Sequence, residues 1–175
     1  MNYKINPKNG DKLSILGFGC MRFGGDSLTS SFAGGFDTKK AEQLIKSAID
    51  SGVNYFDTAY VYNGSEEVLG KTLAKCGVRD KVYIATKMPL ILCRSRNDLD
   101  KYFAKHLERL QTDYIDFYLL HAVNKEKWDA MKELGVVEYC AKLKEEGKIR
   151  YYGFSFHDDY EVFDEILHYR DWDFC

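Results

Sequence analysis

Four short runs of β-forming residues recur along this chain, separated by longer stretches of helical period: Asn54–Phe56, Val82–Ala85, Ile115–Leu120 and Tyr151–Phe154. Such alternation predicts parallel strands joined by crossover helices, an α/β fold. A polar residue stands at or just past the end of each run: Asp57, Lys87, His121 and Ser155, at intervals of 30, 34 and 34 residues. One strand–helix–strand unit takes roughly 30 residues or more. Right-handed crossovers set successive parallel strands side by side, so the four residues are expected along the carboxyl edge of one sheet. A (β/α)8 (TIM) barrel keeps its active site on that edge. An open doubly wound sheet would instead carry a glycine-rich phosphate turn between its first strand and first helix. Gly17-Phe18-Gly19-Cys20-Met21-Arg22 lacks the third glycine and has no helix directly behind it, which rejects that architecture.

The intervening segments read as helices. Ala41, Leu44, Ile45, Ala48 and Ile49 form one apolar stripe, on a helix that Thr38 could cap and Gly52 could end. Ser65 followed by Glu66 and Glu67 reads as a cap with two carboxylates at the positive end of the next helix, whose inward side is Val68, Leu69 and Leu73. Leu99, Phe103, Leu107 and Leu110 make a third stripe. A further helix is expected from about Val137 to Glu146, with Gly147 as its stop before a strand beginning near Ile149, and another over Tyr160 to Tyr169. The earliest strand candidate is Ser14 to Cys20, followed by a Gly- and Ser-rich stretch from Gly24 to Gly35 that reads as a long mobile loop. Trp172–Cys175 looks like the start of one more strand.

With 175 residues, 45% of them hydrophobic, the chain can bury one large core, so residues 1–175 are read as one domain or part of one. The 25 basic and 27 acidic residues are interspersed, with net charge −2, so no basic stripe exists to meet a phosphate backbone and nucleic acid is not an expected partner. No apolar run approaches the ~20 residues needed to cross a bilayer, and a soluble, cytoplasmic protein is expected. Cys20, Cys76, Cys93, Cys140 and Cys175 lie at wide, irregular spacings without a C-x-x-C, which argues for reduced thiols and against a disulfide framework or a metal site.

Tyr62 lies five residues past Asp57, in a loop expected above the rim. Its phenol, with an ordinary pKa of about 10, becomes a better acid near neutrality beside an ammonium, and Lys87 would be that ammonium. Asp57 would hold Lys87 charged, and His121 could hydrogen-bond a substrate carbonyl and orient it toward Tyr62. An acid, its tuning pair and an orienting donor suit a reaction that polarises and protonates a carbonyl. No thiol, serine–histidine pair or phosphate loop occupies these positions.

The segments SILGFGC, NYFDTAYVYN, EEVLGKTL, VYIATK, DYIDFYLLH and KIRYYGFSFH resemble the aldo-keto reductase superfamily along essentially the whole chain. The resemblance puts that family's catalytic tetrad on Asp57, Tyr62, Lys87 and His121. It implies hydride transfer from NADPH, or less often NADH, to an aldehyde or ketone, with Tyr62 as general acid. It also implies a cofactor extended across a barrel mouth, with Gly19, Cys20 and Met21 near its ribose and diphosphate, Asp57 nearby, and Ser155 on the nicotinamide carboxamide. Many members have Ser-Asn where this chain has Ser155-Phe156, so one amide contact is missing or taken over by His157; alternatively Phe156 and His157 cap the strand and pack on the following helix.

A complete barrel of this type usually needs about 250 residues, with its phosphate-gripping loops after strands seven and eight. The expected fold is therefore a barrel truncated after about five units and the start of the sixth strand. Unpaired edges would make it poorly soluble and a weak cofactor binder on its own. Some relatives carry a cysteine-clustered iron–sulfur segment near the C-terminus, which here would lie beyond Cys175. Two other readings stand beside the small-molecule carbonyl reductase: a nicotinamide-binding regulatory module, and an inactive fragment. Oligomeric state has no signal in the sequence.

Overall fold

The computed structural model describes residues 1–23 and 37–175, so the stretch read as a mobile loop, Gly24 to Gly35, lies outside the described residues. The described residues form two compact units, Met1–Ala85 with Arg109–Thr112, and Thr86–Glu108 with Asp113–Cys175.

The first unit opens with an antiparallel hairpin, β1 (Tyr3–Ile5) and β2 (Lys12–Ser14), in which Tyr3 faces Ser14. Sequence reading missed it, because β1 is exposed throughout and offers no alternation of apolar and polar residues. Its anchor is polar: Asn54 Oδ1 accepts the Ser14 N–H (2.8 Å) while Asn54 Nδ2 donates to the Lys12 carbonyl (2.8 Å). Ser14 thus belongs to the hairpin, and the expected strand from Ser14 to Cys20 shortens to β3 (Phe18–Gly19).

Helix α1 (Thr38–Asp50) is capped by Asp37, whose carboxylate accepts from the N–H groups of Lys39 (2.9 Å) and Lys40 (3.2 Å), so Thr38 is its first residue and not its cap. Ala41, Ile45 and Ala48 are buried, whereas Leu44, at the edge of the stripe, is exposed. Gly52 closes the turn with φ +85°, where its missing Cβ matters. Then come β4 (Tyr55–Asp57), α2 (Ser65–Cys76) and β5 (Tyr83–Met88), whose last three residues belong to the second unit.

The second unit holds most of α3 (Arg96–Leu110), β6 (Ile115–Val123), α4 (Lys125–Leu134), α5 (Val136–Glu145), β7 (Ile149–Phe156) and α6 (Tyr160–Tyr169). Helix α4 was not foreseen. Its buried residues are Trp128 and Met131 alone, too sparse a stripe to stand out in a lysine-rich run. Gly135, at φ +65°, ends α4 and starts α5.

The strand order is β3-β4-β5-β6-β7, each pair with a resolved register being parallel. This is the alternating strand–helix order of a TIM barrel through its fifth strand. Trp172–Cys175, expected to start a sixth, forms no strand. It lies beside β7: the Asp173 carboxylate accepts the Tyr152 N–H (3.0 Å), the Asp173 N–H donates to the Tyr152 carbonyl (3.4 Å), and Trp172 packs on Tyr152 and Phe154. Among the described residues no helix is long and apolar enough to cross a membrane.

Candidate active site

In the first unit β4 delivers Asp57, in register with Gly19 on one side and Ala85 on the other. The ladder runs on past the strand ends: the Cys20 N–H donates to the Asp57 carbonyl (2.7 Å) and the Thr58 N–H to the Ala85 carbonyl (2.8 Å). Two tight turns then hold Tyr62 between them, its N–H donating to the Ala59 carbonyl and its carbonyl accepting from the Ser65 N–H, both at 3.0 Å.

Ser65, expected to cap α2, spends its hydroxyl elsewhere. Gly64, at φ +69°, fills the cap position with no side-chain bond. The Ser65 hydroxyl donates to the Cys20 carbonyl (2.8 Å) and accepts from the Thr58 hydroxyl (2.7 Å), a buried chain that ties the exits of β3 and β4 to the start of α2. Arg109 fastens the same loop from outside. Its guanidinium lies 3.9 Å over the Tyr60 ring, donates to the Tyr60 carbonyl (3.2 Å), and pairs with Glu66 (3.4 Å) and Glu67 (3.0 Å). Glu66 is wholly buried, so this pair sits where charge is costly unless compensated. Sequence reading saw Glu66 and Glu67 only as carboxylates at a helix start. Thr58 and Arg109 carried no signal by spacing, since their partners are distant in sequence.

Tyr62 is half-buried, and its phenol is pushed above its ordinary pKa, first by burial and then by the Asp57 carboxylate. That is opposite to the direction expected from the sequence, in which Lys87 lowers it. Desolvation and a neighbouring negative charge both oppose phenolate, so Tyr62 keeps its proton through the neutral range.

In the second unit Lys87 lies in β5 and is 6% exposed. His121 stands where β6 departs from regular pairing. Leu120 pairs with Phe154 and Val123 with Phe156, so His121 and Ala122 together face Ser155 alone, a β-bulge. Ala122 takes φ +49°, the left-handed region that residues with a Cβ rarely enter. The Ser155 hydroxyl accepts the Ala122 N–H (2.8 Å) and lies 3.5 Å from the Leu120 carbonyl, while the Lys127 ammonium donates to the Ala122 carbonyl (2.7 Å). The His121 imidazole is lowered from 6.5 to about 4, by burial first and then by Lys87, Lys127, His157 and His106. It is neutral at pH 7 and keeps one N–H to donate.

Asp57 and Tyr62 are thus brought together in the first unit, and Lys87 and His121 in the second. Of the residues expected near a cofactor, Gly19 is exposed, and among the described residues nothing lies within 4 Å of where a Cβ would stand. Met21 is half-buried. Cys20 is fully buried, with its N–H, carbonyl and thiol all engaged internally. Phe156 packs against Phe163 of α6 (ring centroids 5.3 Å apart), and the His157 N–H donates to the Val123 carbonyl (2.9 Å). Those contacts match the reading in which the pair caps the strand and packs on the next helix.

The sequence model of the Aldo/keto reductase family matches residues 15–173. The chain is 34% identical over 169 residues to aldo-keto reductase YhdN of Bacillus subtilis (strain 168), covering 89% of this chain and 47% of the relative. It is 35% identical over 157 residues to probable aldo-keto reductase 1 of Glycine max, covering 83% and 42% respectively. The chain therefore spans about half the length of the curated relatives it matches. Among solved structures, the holo form of aldo-keto reductase AKR11C1 from Bacillus halodurans matches with TM-score 0.70 and 32% identity, over 98% of this chain and 55% of that one. A thermostable aldo-keto reductase, Tm1743, solved with the inhibitor epalrestat, matches with TM-score 0.72 and 30% identity, over 99% and 60%. Agreement in sequence and in fold over nearly every residue places this chain in the aldo/keto reductase family.

Proposed function

We propose that Asp57, Tyr62, Lys87 and His121 act as one reaction centre, reducing an aldehyde or ketone with NADPH, or NADH, as hydride donor. The observation that carries the reading is the pair of opposed protonation states: a tyrosine that keeps its proton and a histidine that refuses one. A carbonyl oxygen about to become an alcohol needs both a hydrogen-bond donor while neutral and a proton as it gains charge. His121 donates its N–H to that oxygen, and Tyr62 delivers the proton. The nicotinamide, when bound, supplies the hydride to the carbonyl carbon. The tyrosinate left behind is reprotonated from water, and Lys87 and Asp57 are the charged residues proposed to complete the centre.

The residues suit such a cofactor. Gly19 leaves open space beside the chain, Met21 flanks it, and Cys20 is the buried anchor between them. The Ser155 hydroxyl, though engaged with the bulge, retains acceptor capacity for a carboxamide N–H. We read residues 1–175 as one incomplete barrel domain that binds cofactor weakly by itself; the coverage of about half of each relative supports this.

The test is NADPH fluorescence and carbonyl-dependent NADPH oxidation, on this chain and on the complete product of its gene, each beside Tyr62→Phe. Turnover by the complete product, abolished in Tyr62→Phe with NADPH binding retained, is expected. Binding without reduction of any aldehyde or ketone would favour a regulatory module; absence of binding would defeat the site assignment.

A further inference from the structure

We propose that Lys127 is a positioning residue for His121: its ammonium, tied to the carbonyl of the bulged Ala122, fixes the turn that carries the imidazole. The inference rests on the reductase reading for its functional meaning, but its geometry stands independently. The bulge puts His121 and Ala122 opposite Ser155, so His121 leaves the alternation that β6 imposes on its neighbours. Such a bend is held only if the peptide groups it turns out of the ladder find other partners. They find two side chains, one on each side of Ala122. The Ser155 hydroxyl takes the N–H at 2.8 Å, and Lys127 gives a charged hydrogen bond to the carbonyl at 2.7 Å. Ala122 at φ +49° shows that the turn is imposed and not a local preference of alanine.

Lys127 can do this because of α4. Asn124 caps that helix by accepting the Lys127 N–H (3.0 Å), so the first turn of α4 folds back over the end of β6 and returns the Lys127 side chain to the residue that follows His121. The ammonium also adds charge. Among the groups that act on the His121 ring are Lys87 from β5, His106 from α3, Lys127 from α4 and His157 just past β7, each of which lowers its proton affinity. Lys127, like Lys87, disfavours an imidazolium at this position, and it does so while held at a fixed point.

The experiment is histidine side-chain NMR on this chain without cofactor or substrate, so that it reads the clamp whether or not the reductase reading holds. The four histidines are distinguished by assigning His121 with His121→Gln. Three variants separate charge from tether. Lys127→Gln can still donate to the Ala122 carbonyl but lacks the charge; Lys127→Met lacks both; Lys127→Arg keeps both. The titration midpoint of His121 is expected to rise by about one pH unit in the Gln and Met variants, a roughly tenfold change in proton affinity, and to stay in place in the Arg variant. Amide exchange at Ala122 is expected to accelerate about tenfold or more in the Met variant and to remain slow in the Gln and Arg variants. An unmoved midpoint in both Gln and Met variants, or an equal rise in the Arg variant, overturns the proposal, as does Ala122 exchange that ignores Lys127→Met.

Discussion

Gly70→Ala is a substitution whose sign depends on which level of structure is consulted. Gly70 lies inside α2, where alanine is favoured over glycine by about 1 kcal/mol, so helix propensity alone expects a more stable chain. The packing says otherwise. A Cβ on Gly70 would stand 2.5 Å from the Arg109 carbonyl oxygen, 2.5 Å from the Leu110 carbonyl carbon and 2.6 Å from the Leu110 Cα. Ordinary carbon contacts lie near 3.5–4.0 Å, and all three atoms are backbone, so no side chain can swing aside; the last turn of α3 must retreat by about 1 Å. Overpacking of this kind costs about 1–3 kcal/mol, and a clash against main chain belongs at the upper end. The net expectation is a loss of about 2 kcal/mol, which for a chain of this size lowers the melting temperature by roughly 4–8 °C. Thermal unfolding followed by circular dichroism measures it. A midpoint equal to or above that of the parent chain would refute the close approach of α2 to the end of α3. The same turn of α3 carries Arg109, so the substitution also bears on the loop that holds Tyr62.

Two further outcomes are expected from the caps and the buried ring. Asp37→Ala should destabilise α1 by about 1 kcal/mol, whereas Thr38→Ala should stay within about 0.5 kcal/mol, because Asp37 and not Thr38 accepts the two free N–H groups; urea midpoints of the two variants decide this. His121 has a folded-state value of about 4, below the 6.5 of an ordinary imidazole, so the folded chain binds fewer protons than the unfolded one between those limits. Stability from this group is fully present above about pH 6.5 and is lost as pH falls toward 4, a change on the order of 2 kcal/mol once solvent access to the ring is allowed for. Urea midpoints at pH 7 and pH 4.5 should differ less in His121→Gln than in the parent chain; the same difference in both would count against a buried neutral imidazole.

The sequence by itself determined the architecture and the order of its strands and helices. Short runs of β-forming residues alternating with apolar helical stripes leave little choice but parallel strands and crossover helices, and β4 to β7 lie where those runs predict, within a few residues at their ends. Tyr160–Tyr169 is helical over its full expected span, since its apolar residues are dense enough to declare their period. The placement of Asp57, Lys87, His121 and Ser155 toward the carboxyl ends of β4, β5, β6 and β7 was legible for the same reason: strand ends are set largely by local pattern. Tertiary structure decided whatever depends on partners distant in sequence. The hairpin at the N-terminus exists because Asn54 bonds both Ser14 and Lys12, about forty residues away. The chain from Thr58 through Ser65 to Cys20, the grip of Arg109 on Tyr60 and Glu66, and the Lys127 tether on Ala122 have no periodicity to reveal them. The protonation states followed the same division. Spacing could put Tyr62 beside charged residues, but whether its pKa rises or falls depends on burial and on which charge lies nearest, and both are set only when the chain is folded.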